Sequence, residues 1–335
     1  MIKELTNKYK KLYIIGIATG IALYSACTGC TGENSLFTQE KVQFSGVMAQ
    51  GSVELTKATD NNTDPFADGS TMGIYAYKSD KSTFEPNGAN NEYVSSNQIF
   101  AHNGDNPLYW PTKGNLNIIA YSPYNSAVTT STNSNTIADI NYPVTNIADQ
   151  KSNLATDILF AKETDIPGNH APIKLIFEHV LSKLNIVLEG SFGMEFNNPE
   201  VLIHQLQTKA TVCMKIDGAS IQSLSEPTSI APFTLSAESR KHELSALIIP
   251  QTISFNTQTE FVSITNQGDK YSFKIDPGNS ILTSNKLKFE AGKEYTLTLT
   301  LNNKEAEIKN ALVEIKEWSD GGSATGSGEA QWPER

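Results

Sequence analysis

What most restricts this chain is the alternation of its apolar residues. In EYTLTLTL (Glu294 to Leu301), Tyr295, Leu297, Leu299 and Leu301 are separated by single threonines. In KVQFSGVMA (Lys41 to Ala49), Val42, Phe44 and Met48 fall on one face. A period of two sends successive side chains to opposite sides of an extended backbone, so such segments bury one face only as strands. MGIYAYK, NLNIIAYSPY, DILFAK, IKLIFEHVL, KLNIVLEG, SALIIPQTI, FVSITN and YSFKI add further segments rich in Val, Ile, Phe, Tyr and Thr, set apart by Asn, Gly, Ser, Asp and Pro. Beyond the N-terminus no long helical period interrupts them. The pattern predicts an all-β fold of the sandwich kind.

Two polar stretches divide the strands. Ser122 to Asn153 is turn-rich and reads as a long loop or a pair of weak edge strands. Gly190 to Glu200, GSFGMEFNNPE, has the punctuation of a linker and places a domain boundary after residue 192. The C-terminal SDGGSATGSGEAQWPER has the composition of a flexible tail.

The N-terminus is of another kind. Lys3, Lys8, Lys10 and Lys11 precede the apolar run Leu12 to Leu23, which is shorter than the ~20 residues that span a bilayer. Ser25 and Ala26 then lead into Cys27, with Cys30 close behind. A C-x-x-C pair also occurs in redox dithiols and as half of a zinc site. A redox pair belongs at a strand-to-helix junction, and zinc needs two more ligands, whereas the remaining cysteine is the distant Cys213. The segment looks like a bacterial lipobox, cut before a diacylated Cys27; Tyr24 replaces the usual leucine, and Cys30 is a second candidate. An uncleaved anchor and an ordinary secretory signal are the alternatives. The lipid reading makes 1–26 a signal peptide and tethers the rest to the outer membrane, since two or three acyl chains anchor stably.

The chain of 335 residues carries a formal charge of −10, and loss of the lysine-rich signal makes it more acidic still. Acidity of this degree makes the chain a poor partner for nucleic acid or anionic lipid. With Cys213 alone in the body of the chain no disulfide framework is available, so stability has to come from packed apolar faces.

Motifs of catalysis are missing. Asp60 to Thr71 resembles a calcium loop, but Pro65 and Thr71 stand where glycine and a bidentate carboxylate are required. His102, His170, His179, His204 and His242 have no metal-ligand spacing, and His179, between Phe177 and Leu181, reads as a packed or hydrogen-bonded side chain. No nucleophile elbow, phosphate loop or dinucleotide fingerprint is present, and no segment singles out a carboxylate pair. The residues call for no cofactor or metal and give no argument for an enzyme. Tyr109 and Trp110, in NPLYWPTKG, are candidates for a glycan-binding platform if exposed, or for a cap on the core.

Taken in order, the lipobox, MGIYAYK, NIIAYSPY, SNLATDILFAK, IKLIFEHVLSKLNIVLEG, LIIPQTI, FEAGKEYTLTLTL and VEIKEW make the chain similar to the fimbrillin family of Bacteroidetes, lipoprotein precursors of type V pili. The resemblance implies two transthyretin-like β-sandwich domains in tandem, 27–192 and 193–335. It also implies assembly with other pilin subunits into a surface fimbria that mediates adhesion to a host or bacterial receptor. In that family an outer-surface protease removes the N-terminal segment and a neighbour's strand fills the groove. Val42, Phe44 and Met48 then belong to the displaced strand, and Ala311, Val313 and Ile315, in NALVEIKEW, to a donor; the alternative is that both segments are permanent strands of their own domains. The matching cleavage context is LTKATD, with Lys57 before Ala58 where the family's familiar members have arginine; the first arginine of this chain is Arg240. A lysine-tolerant protease, or an uncleaved anchor subunit, follows from that departure. A monomeric lipid-anchored glycan binder and a tip subunit are the competing readings.

Overall fold

The computed structural model describes residues 40–49, 66–80, 85, 87–102, 104–131, 139–168, 171–191, 193–275, 282–301 and 312–318. Among them are twenty strands and no helix. In chain order the first nine are β1 (Phe44–Met48), β2 (Thr71–Tyr77), β3 (Asn91–Ser96), β4 (Ile99–Ala101), β5 (Leu116–Ser122), β6 (Thr129–Ser131), β7 (Asp139–Val144), β8 (Leu159–Ile166) and β9 (Ile173–His179). Seven of these close into a barrel in the order β1-β4-β3-β2-β5-β8-β9, while β6 and β7 leave for another sheet. Closure depends on β1, which runs parallel to β9 from Phe44↔Ile173 to Met48↔Phe177 and meets β4 at Phe44↔Phe100. The interior is filled by Phe44, Met72, Ile74, Tyr93, Phe100, Leu116, Ile118, Leu175 and Phe177 among others.

The remaining strands are β10 (Ser182–Gly190), β11 (Glu200–Lys215), β12 (Gly218–Ile230), β13 (Phe233–Ala237), β14 (Lys241–Ile248), β15 (Thr252–Ser254), β16 (Glu260–Asn266), β17 (Asp269–Lys274), β18 (Lys286–Lys288), β19 (Lys293–Leu301) and β20 (Leu312–Glu317). One sheet has the order β13-β14-β10-β19-β20. A second runs β17-β16-β11-β7-β6, with β12 also laddered to β11, and β15 pairs with β18. The crossing from barrel to second sheet system therefore falls between β9 and β10, ahead of the linker at 190–200, and β7 joins the later strands through β11.

Two barrel strands serve two cores. Met72, Ile74 and Ala76 of β2 point into the barrel, whereas Tyr75 and Tyr77 enter the larger core beneath the other sheets. In β5, Leu116, Ile118 and Ala120 face one core, and Ile119 and Tyr121 the other. A strand covered on both faces reads as a near-continuous apolar run, which accounts for MGIYAY and LNIIAY. Burial pushes the Tyr75 hydroxyl up to about 12, with Tyr124 adding to the shift.

The polar stretch 122–153 contains the edge strand β6 and also β7, whose Ile140, Tyr142 and Val144 are buried, so β7 is more than a weak edge. β11 escapes a simple alternation search because its parity changes. Val201 and Ile203 are buried at odd positions, and Leu206, Thr208, Ala210, Val212 and Met214 at even ones. The shift falls at Gln205, which has φ 67, where the ladder to β12 is irregular. An extra residue in one strand flips every later side chain to the other face.

Candidate functional site

No catalytic or metal centre is assembled among the described residues. No group of three or more His, Cys, Asp or Glu side chains is placed there to hold a metal ion. His102 bonds through Nδ1 to the Glu92 carbonyl, and His204 to the hydroxyls of Ser229 and Ser263. Cys213 is a buried thiol whose pKa burial raises. Cys27, Lys57, Ala58, His170 and Ala311 lie outside the described residues.

The features left to carry function are the two terminal strands. β1 is seated by its own alternation: Phe44 is fully buried, Val42 nearly so, and Met48 packs partly buried against the barrel core. Phe44 meets Tyr93 edge-on at 4.9 Å. The lead-in is held by backbone bonds, Val42 N–H to Leu108 C=O at 2.8 Å and Trp110 N–H to Glu40 C=O at 3.0 Å. On the other side Ile173 N–H donates to Gln43 C=O at 2.8 Å, and Ala49 N–H to Phe177 C=O at 2.7 Å. All of this is non-covalent, and the 50–65 segment is the chain's link from β1 to the rest of the barrel. Strand removal would therefore leave unpaired backbone along β9 and an apolar trough.

At the other end β20 borders β19 in antiparallel register, with Val313 opposite Leu297 and Ile315 opposite Tyr295. Both partners on β19, Leu297 and Tyr295, are buried in the core. Among the described strands β20 lies at the edge of its sheet. Directly after it comes Trp318, whose N–H donates to Gly292 C=O at 2.8 Å and whose ring stacks on His179 with centroids 3.6 Å apart and planes at 8°. His179 is tethered through Nδ1 to Asp157 Oδ2 at 2.7 Å, and Lys183 Nζ lies 5.7 Å from the Trp318 ring centre. His179 is thus packed and hydrogen-bonded, as its place in β9 predicts. It also lines a cleft of about 670 Å³ with Phe160, Ile221, Pro250 and Phe289. This stack joins the end of the C-terminal strand to the end of the barrel. Trp318 carries no sequence signal beyond being the last apolar residue of its run.

Of the two readings of Tyr109 and Trp110, Trp110 takes that of a cap on the core. Trp110 is 3% exposed and belongs to the barrel core, and its N–H donates to Glu40 C=O. Tyr109 is half-buried, opposite Lys41, and shares with Trp110, Lys78, Asn87 and Lys113 a recess of about 340 Å³.

The sequence profile of the fimbrillin-like family matches residues 56–318. Among solved structures the chain is similar to a proposed cell adhesion protein of Bacteroides uniformis, with TM-score 0.59 and 19% identity over 83% of this chain and 98% of that one. A proposed cell adhesion protein of Bacteroides ovatus gives TM-score 0.61 and 17% identity over 84% and 98%. These likenesses are of fold. No curated protein sequence gives a significant match.

Proposed function

The chain belongs to the fimbrillin-like family, and on that premise we propose that it is a subunit of a cell-surface fimbria that polymerises by exchange of terminal strands. Proteins of this family are structural rather than catalytic, so the chain is a pilin or adhesion component and not an enzyme. The observation that carries the mechanism is the seating of β1: it completes a closed barrel through ladders and buried side chains, and it precedes the 50–65 segment in which Lys57 lies. A cut between Lys57 and Ala58 severs the only chain connection between β1 and the barrel. An incoming strand then regains the ladder on β9 and fills pockets with alternate side chains. In this reading Cys27 carries the lipid that holds the precursor at the outer membrane. The segment containing Ala311, Val313 and Ile315 is the donor, and the mature chain is two sandwich units in tandem.

N-terminal sequencing and mass measurement of protein recovered from the cell surface test the reading. A chain beginning at Ala58, in ladders that resist mild denaturant, is expected. A monomer that keeps residues 27–57 and forms no ladder sinks it as a stalk subunit and leaves the anchor role.

The recess beside Tyr109 favours one competing reading, capture of a glycan by a lipid-anchored monomer. Glycan-array binding lost in Tyr109→Ala, a substitution that spares the core residue Trp110, would decide for it.

A further inference from the structure

A strand that replaces β1 has to fit what β1 leaves behind. The inward positions of β1 and its lead-in are Val42, Phe44, Gly46 and Met48, and in register Gly46 stands opposite the buried Leu175. Three of these places hold bulky side chains and one holds none. Gly46 is not among the glycines with positive φ, so its missing side chain is what the site uses, and not its backbone freedom.

The cause is Phe66, which follows the 50–65 segment and packs into the barrel. A Cβ built on Gly46 would meet Phe66 Cε2 at 2.7 Å and Cδ2 at 2.9 Å, with Phe100 Cε2 at 3.3 Å. The Phe66 ring has little room to yield. It is 3% exposed and wedged edge-on between Phe100 and Phe177, with ring centres 5.2 and 5.0 Å away. Close-packed interiors pass on the strain of an added carbon instead of absorbing it.

From this notch we infer that the β1 slot selects a partner strand with glycine between two bulky apolar residues at alternate positions, carried by a fimbrial subunit of different sequence. The inference rests on the strand-exchange reading and adds the identity of the partner to it. The chain's own β20 lacks the pattern. Val313 and Ile315 are neighbours in its alternate set, so β20 centred on Phe44–Met48 with that set inward places one of them on Phe66. The slot therefore favours a mixed polymer over one built from this chain alone.

The test uses the full chain with a specific protease site inserted between Lys57 and Ala58, cut after folding so that β1 stays seated. Labelled peptides are then offered in excess: Lys41 to Ala49, the same peptide with Gly46→Ala or Gly46→Val, and Asn310 to Trp318. Capture is expected for the glycine peptide, roughly 10-fold weaker for alanine, and undetectable for valine and for Asn310 to Trp318. In a Phe66→Ala acceptor the valine peptide should bind as well as the glycine one. Equal capture of the glycine and valine peptides, or of Asn310 to Trp318, by the unaltered acceptor overturns the inference and leaves strand exchange standing. Capture of no peptide overturns strand exchange and the inference with it. In the uncut chain, Gly46→Val should lower Tm by roughly 3–8 °C, and have no effect when Phe66→Ala is also present. The same drop in both backgrounds refutes the notch whatever the peptides do.

Discussion

β1 and β10 hold equivalent places in the two halves of the molecule and are held very unequally. Each opens its half and runs parallel to a late strand of it, β1 beside β9 and β10 beside β19. β10 is central: it pairs with β14 from Ser182↔Ile248 to Glu189↔Lys241 and with β19 from Lys183↔Glu294 to Gly190↔Leu301. β1 is shorter, has its long ladder on β9 alone, and touches β4 at one position. The same topological device thus yields a strand locked from both sides and a strand whose hold comes mainly from three apolar side chains and one ladder. Local opening is expected where buried contacts and paired backbone are fewer, so β1 should open before β10.

The contrast can be broken by paired substitutions. Phe44→Ala should cost about 3–5 kcal/mol and Ile186→Ala about 2–5 kcal/mol, both residues being fully buried. In urea, however, the β10 variant should shift one global transition, whereas the β1 variant should add an earlier one of smaller m-value confined to the barrel. A single shared transition for both would remove the distinction between the strands.

A second variant sharpens it at the other terminus. Trp318→Ala removes the ring stacked on His179 and should cost about 3 kcal/mol locally. Amide exchange across 312–317 should then rise while β10 keeps its protection, because β19 still separates them. Protection unchanged in β20 would mean that its ladder alone holds it.

The smallest effect is one of pH. His242, opposite Leu188 of β10, has its pKa lowered by burial. The unfolded chain takes up that proton near the ordinary value of about 6.5 while the folded chain resists it. Stability is therefore full above that pH and declines as acid is added, down to the folded value. His242→Gln should flatten the slope of Tm against pH between 7 and 5 (a window of about two units around the ordinary value); an unchanged slope would mean that burial of His242 does not set it.

Much of the fold was legible before any coordinates. The alternation in Lys41 to Ala49 and Glu294 to Leu301 identifies the core faces of β1 and β19, and the turn clusters mark where strands stop. Other parts were hidden for physical reasons. β12 is polar and exposed over most of its length, because among the described strands its ladder is to β11 alone, so it has no continuous apolar stripe to find. Trp110 read as a platform or as a cap on the core, because its neighbours are polar and turn-forming; its packing with the barrel core decides for the cap. Of the candidate site, the strand was readable, but the emptiness at Gly46 was not, since glycine in a strand signals a bulge as readily as a close approach.

The sequence by itself determined that this chain is all-β, which side chains are apolar on each strand, and that its ends differ in kind from its body. Only the tertiary structure decided that β1 closes a barrel against β9, that β2 and β5 divide their faces between two cores, and that Phe66 occupies the space of a missing side chain. A period of two fixes which face of a strand is buried, but its neighbour is chosen by contacts between residues far apart in the chain, and those depend on shape as a whole.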